Sequence, residues 1–146
     1  MPRYFTLEQA TELLPRVERR LRDALFAHHE YRRCDEEFRE FQKRILMSGG
    51  AQVDREKVTK LVASRGASAT ILKQEMAAIE EMGVQVKDLE VGLIDFPTLF
   101  RGQEVLLCWK FGEEKIDHWH GLTEGFRGRR PIDEEFLAAH RGDTEQ

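Results

Sequence analysis

Apolar residues recur at alternating spacings of three and four along the first third of the chain, which is the pattern of one face of a long helix. The members of this seam are Leu7, Ala10, Leu14, Val17, Leu21, Ala24, His28 and Tyr31. Thr6 and Gln9 have the spacing of a capping box, and Pro15 predicts a kink or a short separate first turn. The helix is predicted to cover residues 6–47 and to end at Ser48-Gly49-Gly50.

A second apolar face predicts a helix over residues 54–83, with Asp54 as its N-cap and Gly83 at its C-terminal end. This face consists of Val58, Leu61, Val62, Ala69, Leu72, Met76, Ile79 and Met82. Small residues around Gly66 mark a place where another backbone could approach closely. The short link predicts an antiparallel helical hairpin, whose long apolar stripes need cover from the rest of the chain or from a second copy.

After Gly83 the pattern changes to short apolar runs separated by turn residues, which is typical of β-strands. Strands are predicted over residues 91–96, 103–111 and 115–120, with a loop at Pro97 to Gly102. Helices followed by strands indicate the α+β class: a long antiparallel helical hairpin followed by a small antiparallel β-meander.

The length of 146 residues favours a single domain over residues 1–146. The β-meander and its loop would occupy residues 84–131, and a tail with a helical turn at Phe136 and Leu137 would occupy residues 132–146.

Charge and composition narrow the range of partners. The chain has 23 basic and 27 acidic residues, which are intermixed, so a nucleic acid is an unlikely partner. No apolar run has the length of a membrane span, and the N-terminal pattern does not resemble a signal peptide, so we expect no membrane association and a cytoplasmic location. Cys34 and Cys108 have no paired spacing and are predicted to be free thiols.

Several motifs of the chain together resemble the bacterial domain-of-unknown-function family 2203. They are LLP (13–15), GVQVKDLEVGLIDFP (83–97), LCWKFGE (107–113), WH (119–120) and GFRGRRP (125–131). The resemblance implies that eight positions belong to the family motif, and His118 is outside this set. The set is Asp95, Cys108, Trp109, Glu113, Trp119, His120, Gly125 and Arg129. The resemblance implies no activity, substrate or cofactor.

The segment CWKFGEEKIDHWHG (108–121) predicts a β-hairpin, and the length of its turn decides which side chains share a face. A two-residue type II′ turn at Gly112-Glu113 places Leu107 opposite His118 and Val105 opposite His120. In this favoured register Cys108 lies on the face opposite both histidines. A three-residue turn would instead place Cys108 opposite His118.

Two functional hypotheses concern the end of this sheet. Asp95, His120 and Arg129 could bind an anion, and His118, His120 and Asp95 could bind a metal ion. In the predicted sheet Asp95 and His120 are about 10 Å apart, whereas Glu113 is about 23 Å from His120 and cannot share its site. The structural alternative is an Arg–Asp pair that ties the glycine-rich loop to the sheet.

The leading functional prediction is a non-enzymatic interaction or scaffold domain that forms a homodimer through its helical hairpin. The alternative is a metal- or anion-binding protein, or an enzyme that uses such a site, with the site at the end of the β-sheet. The sequence contains no phosphate loop, nucleophile elbow or dinucleotide fingerprint, and it identifies neither a cofactor nor a reaction.

Overall fold

The computed structural model describes residues 3–49 and 54–143. The chain has the predicted α+β class: helix α1 (Leu7–Met47) packs on helix α2 (Arg55–Glu81), and an antiparallel sheet follows. Gly50 of the predicted helix stop and residues 144–146 of the predicted tail lie outside the described residues. None of the helices in the described ranges has the length and apolar character needed to cross a bilayer.

Side-chain caps at their N-termini explain where the two long helices begin. Thr6 and Gln9 form the predicted capping box, in which the Gln9 backbone N–H donates to Thr6 Oγ1 (3.1 Å) and the Thr6 N–H donates to Gln9 Oε1 (2.9 Å). Asp54 caps α2 by accepting the Lys57 N–H at 3.1 Å. Helix α1 continues through Pro15 without interruption, so no separate first turn forms.

The chain divides into two compact units, one of which is the continuous segment Arg22–Glu75. In this unit the two helices are joined by Arg65, which forms an ion pair with Asp35 (2.9 Å) and lies over the Phe38 ring (4.8 Å). Buried apolar side chains are few within it, namely Ala24, Ala27, Cys34 and Leu61 among the described residues.

The second unit comprises the described parts of Met1–Leu21 and Met76–Gln146 and contains the sheet. Five of its strands are neighbours in the order β1-β2-β3-β4-β5, and β6 pairs with β2. The strands are β1 (Gln85–Asp88), β2 (Leu93–Phe100), β3 (Gln103–Lys110), β4 (His118–Gly121), β5 (Arg130–Pro131) and β6 (His140–Arg141). The sequence pattern did not predict β1, β5 or β6, because each is too short to show a periodic pattern.

Strand β2 continues through Pro97 to Phe100, so the predicted loop at residues 97–102 is wrong. Proline is tolerated at this position of β2 because it has no strand neighbour on the side away from β3. On that side β1 pairs with Leu93–Asp95 and β6 pairs with Leu99 and Phe100, so the missing N–H of Pro97 costs no hydrogen bond between strands. The Pro97 carbonyl on that side accepts the Phe5 N–H at 2.7 Å. Arg101 and Gly102 (φ 53° and 78°) then form the two-residue turn into β3.

The predicted register between β3 and β4 is also wrong. Cys108 lies opposite His118 and Leu106 lies opposite His120, so Cys108 shares a face with both histidines. Gly112 has the expected positive φ (99°), but the Glu113 N–H bonds to the Lys110 carbonyl at 3.0 Å, which makes Gly112 the second central residue of the turn. The register is the one that the three-residue alternative predicts, although the whole connection spans residues 111–117. Trp109 and Trp119 lie together on the other face of the sheet.

The C-terminal segment packs on the sheet. Helix α3 (Glu134–Ala139) forms where a helical turn is predicted, with Asp133 capping the Phe136 N–H at 2.8 Å. The buried Phe136 ring stacks on Trp119 and Phe100, each 4.9 Å away between centroids. This segment continues from α3 into β6, which pairs with β2, so it belongs to the core of its unit.

Candidate functional site

Three adjacent strands bring Asp95, Cys108 and His120 together on one face of the sheet. Asp95 of β2 lies opposite Cys108 of β3, and His120 of β4 lies opposite Leu106, two residues from Cys108. One possible ligand atom of each residue lies within 4.8 Å of those of the other two. All three side chains are buried, with residue exposures of 0% for Asp95, 0% for Cys108 and 2% for His120.

The side chains of Asp95 and His120 are in direct contact, so the predicted separation of about 10 Å is wrong for the functional groups. That prediction counted two strand spacings, which is the distance between the two backbones. Between the two residues on this face lies Cys108, whose small side chain lets the carboxylate and the imidazole meet across the middle strand. His120 Nε2 is 3.1 Å from Asp95 Oδ1.

The contact of His120 Nδ1 determines which ring nitrogen of His120 carries a hydrogen. Nδ1 lies 2.8 Å from the Gly121 carbonyl oxygen, which can only accept, so Nδ1 carries a hydrogen. In a neutral imidazole Nε2 is then an acceptor, and it faces a carboxylate oxygen that is also an acceptor. The contact between Nε2 and Asp95 Oδ1 therefore requires a proton or another cation between the two atoms.

Burial controls the protonation of the other two groups. Burial raises the pKa of Asp95 above its ordinary value, and the nearby His120 partly opposes this rise. Burial, together with the charge of Asp95, raises the pKa of Cys108 to about 12, so the thiol is protonated at neutral pH in the absence of a metal ion. Asp95 Oδ2 is buried without a hydrogen-bond partner.

Arg129 binds Glu113 instead of bridging Asp95 and His120. Its Nη2 donates to Glu113 Oε1 and Oε2 at 2.7 and 2.8 Å, and to His118 Nδ1 at 3.0 Å. Glu113 Oε1 also accepts the Lys110 N–H at 2.6 Å. Arg129 therefore links Glu113 to His118, while the contacts of His120 are with Asp95 and the Gly121 carbonyl.

Cys108 and Glu113 are the residues that spacing arguments missed. Both depend on the β3–β4 register, which the turn residues alone do not determine. The signal that could have found them is their membership, with Asp95, His120 and Arg129, of the motif positions implied by the family resemblance.

We expect Asp95→Asn to raise the free energy of unfolding of the metal-free protein at neutral pH by about 1 kcal/mol, because it removes a buried charge. Since the folded-state pKa of Asp95 is raised, wild-type stability falls as pH rises from the unfolded-state value toward the folded one. The advantage of Asp95→Asn should therefore shrink on acidification toward about pH 4. Urea unfolding of both proteins across this pH range measures it, and an advantage that grows on acidification would contradict the assignment.

The comparison with protein families identifies the chain. The family model described as "Uncharacterized conserved protein (DUF2203)" matches residues 3–132, so the chain belongs to this family. The search of curated proteins and the search of solved structures find no match. The matched range contains all the residues of the cluster, including Glu113 and Arg129.

Proposed function

We propose that this member of the DUF2203 family binds a divalent transition-metal ion through Asp95, Cys108 and His120. The observation that carries the proposal is the contact of His120 Nε2 with Asp95 Oδ1, where two acceptors face each other at 3.1 Å. A metal ion can replace the proton that this contact otherwise requires. The proposal takes Cys108 in place of His118 of the set predicted from sequence.

The donor atoms favour zinc. A thiolate, an imidazole nitrogen and a carboxylate oxygen are all common zinc ligands, whereas magnesium and calcium prefer oxygen alone. The Nδ1 hydrogen bond of His120 to the Gly121 carbonyl is the kind of outer contact that orients a metal-binding histidine. Ligand atoms of a tetrahedral zinc site are about 3.5 Å apart, so atoms now within 4.8 Å of one another need to move by only about 1 Å.

The burial of the ligands distinguishes this cluster from the acidic patches that trap ions on protein surfaces. Asp95 Oδ2, which has no partner, would gain one from the metal ion or from the shift of the carboxylate toward it. A cytoplasmic location fits the proposal, because a reducing compartment keeps Cys108 available as a thiol. Three protein ligands leave one position open, which is the arrangement of catalytic rather than structural zinc.

We expect protein purified without an affinity tag to contain close to one zinc ion per chain, and Cys108→Ser to lose most of it. The matched control is Cys34→Ser, because Cys34 is also a buried free cysteine but belongs to the helical unit Arg22–Glu75. Elemental analysis gives the stoichiometry, and cobalt substitution gives a thiolate-to-metal charge-transfer band that only the wild type and Cys34→Ser should show.

The proposal is wrong if the wild-type protein remains free of metal after purification and also fails to bind cobalt added in excess. It is also wrong if Cys34→Ser lowers the metal content as much as Cys108→Ser does.

A second candidate function is a homodimeric interaction domain that associates through the helical hairpin. It is favoured by the small buried apolar content of the unit Arg22–Glu75, where large apolar side chains remain exposed: Phe26 (68%), Val62 and Ile71. Gly66 adds to this argument, because a Cβ atom built there would meet no atom within 4 Å in the described residues. The face around Gly66 could therefore receive a helix of a second copy.

We expect Gly66→Leu to dissociate the dimer while the monomer remains folded, because the leucine side chain would occupy the space of the approaching helix. The control is Gly66→Ala, which should keep the dimer and raise the free energy of unfolding by about 1 kcal/mol through its higher helix propensity. Sedimentation velocity at micromolar concentration measures the association. A wild-type protein that sediments as a monomer there would contradict this candidate function.

A further inference from the structure

Within residues 3–49 and 54–143, two buried side-chain polar atoms have no hydrogen-bond partner; one is on strand β2 and the other is on the residue just before β5. One is the acceptor Asp95 Oδ2 and the other is the donor Arg129 Nε. A buried N–H group without an acceptor is costly to the folded state, so an unpaired one indicates that something else accepts its hydrogen bond. The proposed metal ion would give Asp95 Oδ2 a partner, but a cation cannot accept a hydrogen bond from Arg129 Nε. This donor therefore needs a separate explanation.

The Arg129 side chain is fixed in position by its other contacts. Glu113 binds Nη2 through both carboxylate oxygens, and the guanidinium carbon lies 4.7 Å from the centre of the Phe126 ring. The side chain is 12% exposed. Arg129 is also near enough to Cys108 for its charge to oppose the rise in the thiol pKa. The guanidinium also contacts His118, the residue opposite Cys108, so the unpaired N–H belongs to a held side chain and not to a mobile surface group.

His118 cannot complete the metal site while Arg129 holds it. Arginine has no acceptor, so His118 Nδ1 must accept from Nη2, and in the neutral ring Nε2 then carries the hydrogen. Coordination through Nδ1 would displace Arg129, and coordination through Nε2 would require the tautomer in which two N–H groups face each other. With His118 held in this way, the residues 3–49 and 54–143 would supply three ligands to the proposed metal ion and leave its fourth position to another molecule.

We propose that this fourth position takes a small oxyanion, which binds the metal ion through one oxygen and accepts the Arg129 Nε–H through another oxygen. The inference rests on the proposed metal-binding function and assigns to the same site a ligand class, with Arg129 as the group that recognises it. A carboxylate of one or two carbons provides two oxygens in one plane, which matches a metal ion on one side and a guanidinium N–H on the other.

The test is a titration of the cobalt-substituted protein with formate, followed by visible absorption. We expect the cobalt d–d bands of the wild-type protein to shift with saturation, because an inner-sphere ligand changes the coordination of the ion. Arg129→Lys keeps the charge but loses the Nε–H. Both side chains are compared in a His118→Ala background, where a released His118 cannot take the fourth position, and the lysine should weaken formate binding about tenfold or more while the cobalt stoichiometry stays the same. The matched control is Arg130→Lys, since Arg130 also pairs with a glutamate, Glu124, but is exposed.

The outcomes separate this inference from the function on which it rests. Failure of the wild-type protein to bind cobalt would overturn both. Cobalt binding with a spectrum that formate does not change would overturn only the inference, and a loss of cobalt affinity in His118→Ala would then identify His118 as the fourth ligand. Formate binding of equal strength in the His118→Ala protein and in its Arg129→Lys and Arg130→Lys derivatives would show an open metal position in which Arg129 has no part, and would also overturn it.

Discussion

Truncation of Phe136 to alanine is expected to lower the free energy of unfolding by about 3–5 kcal/mol, the range for removing a fully buried aromatic ring. Phe136 is 1% exposed and stacks on Trp119, Phe100 and His140. Its loss would leave a cavity between helix α3 and the sheet, because rings on both sides are held by other contacts. Equilibrium urea unfolding, followed by tryptophan fluorescence and circular dichroism, measures the change.

The control for this prediction is Leu137→Ala in the same helix turn, since Leu137 is exposed and should change stability by less than about 0.5 kcal/mol. Phe136 lies beyond the residues 3–132 that match the family model. A small effect of Phe136→Ala would mean that the C-terminal segment packs only loosely on the sheet. A large effect would establish that the folded unit extends beyond the matched range.

The second large effect concerns zinc. At a free concentration about a thousandfold above its Kd, zinc should raise the free energy of unfolding by about 4 kcal/mol, because a ligand that binds only the folded state stabilises it by mass action. His120→Ala should abolish this stabilisation, whereas His29→Ala, at an exposed position of α1, should retain it. Thermal unfolding of each protein with buffered zinc and with a chelator provides the measurement.

The zinc effect should also depend on pH in a defined direction. Because the pKa of the Cys108 thiol is about 12 without metal, zinc binding near neutral pH must release the thiol proton. The affinity should therefore rise about tenfold or more for each unit by which the pH increases. Stabilisation that is independent of pH, or that survives His120→Ala, would indicate that zinc binds elsewhere.

The helices could be predicted from the sequence because their signals are local. The capping box of Thr6 and Gln9 and the cap at Asp54 involve residues three positions apart, and the apolar periodicity extends over many turns. The extent of β2 could not be predicted in this way. Pro97 is compatible with a strand because it lies in the gap between the residues of β2 that pair with β1 and those that pair with β6. No local sequence pattern reveals that gap.

The candidate site was only partly predictable for the same reason. Asp95 and His120 could be assigned to neighbouring regions of the sheet, but the position of Cys108 depends on a shift of one residue in the β3–β4 register. Glycine accepts a positive φ at either central position of a turn, so Gly112 alone cannot choose between the two registers. Glu113 contributes to the choice by joining a local bond to a tertiary one, since it accepts from the Lys110 N–H within the turn and from Arg129 outside it.

The two described ends of the chain are joined to each other. The Asp143 N–H donates to the Tyr4 carbonyl at 2.9 Å, the Tyr4 N–H donates to Asp143 Oδ2 at 3.1 Å, and the Leu7 N–H at the start of α1 donates to His140 Nε2 at 3.0 Å. The Tyr4–Asp143 bonds span 139 positions of sequence. At a translation rate of about 5–20 residues per second, Asp143 is added roughly 7–28 seconds after Tyr4. The hairpin of residues 22–75, whose contacts are closer in sequence, can form during that interval, so the sheet unit closes after the hairpin.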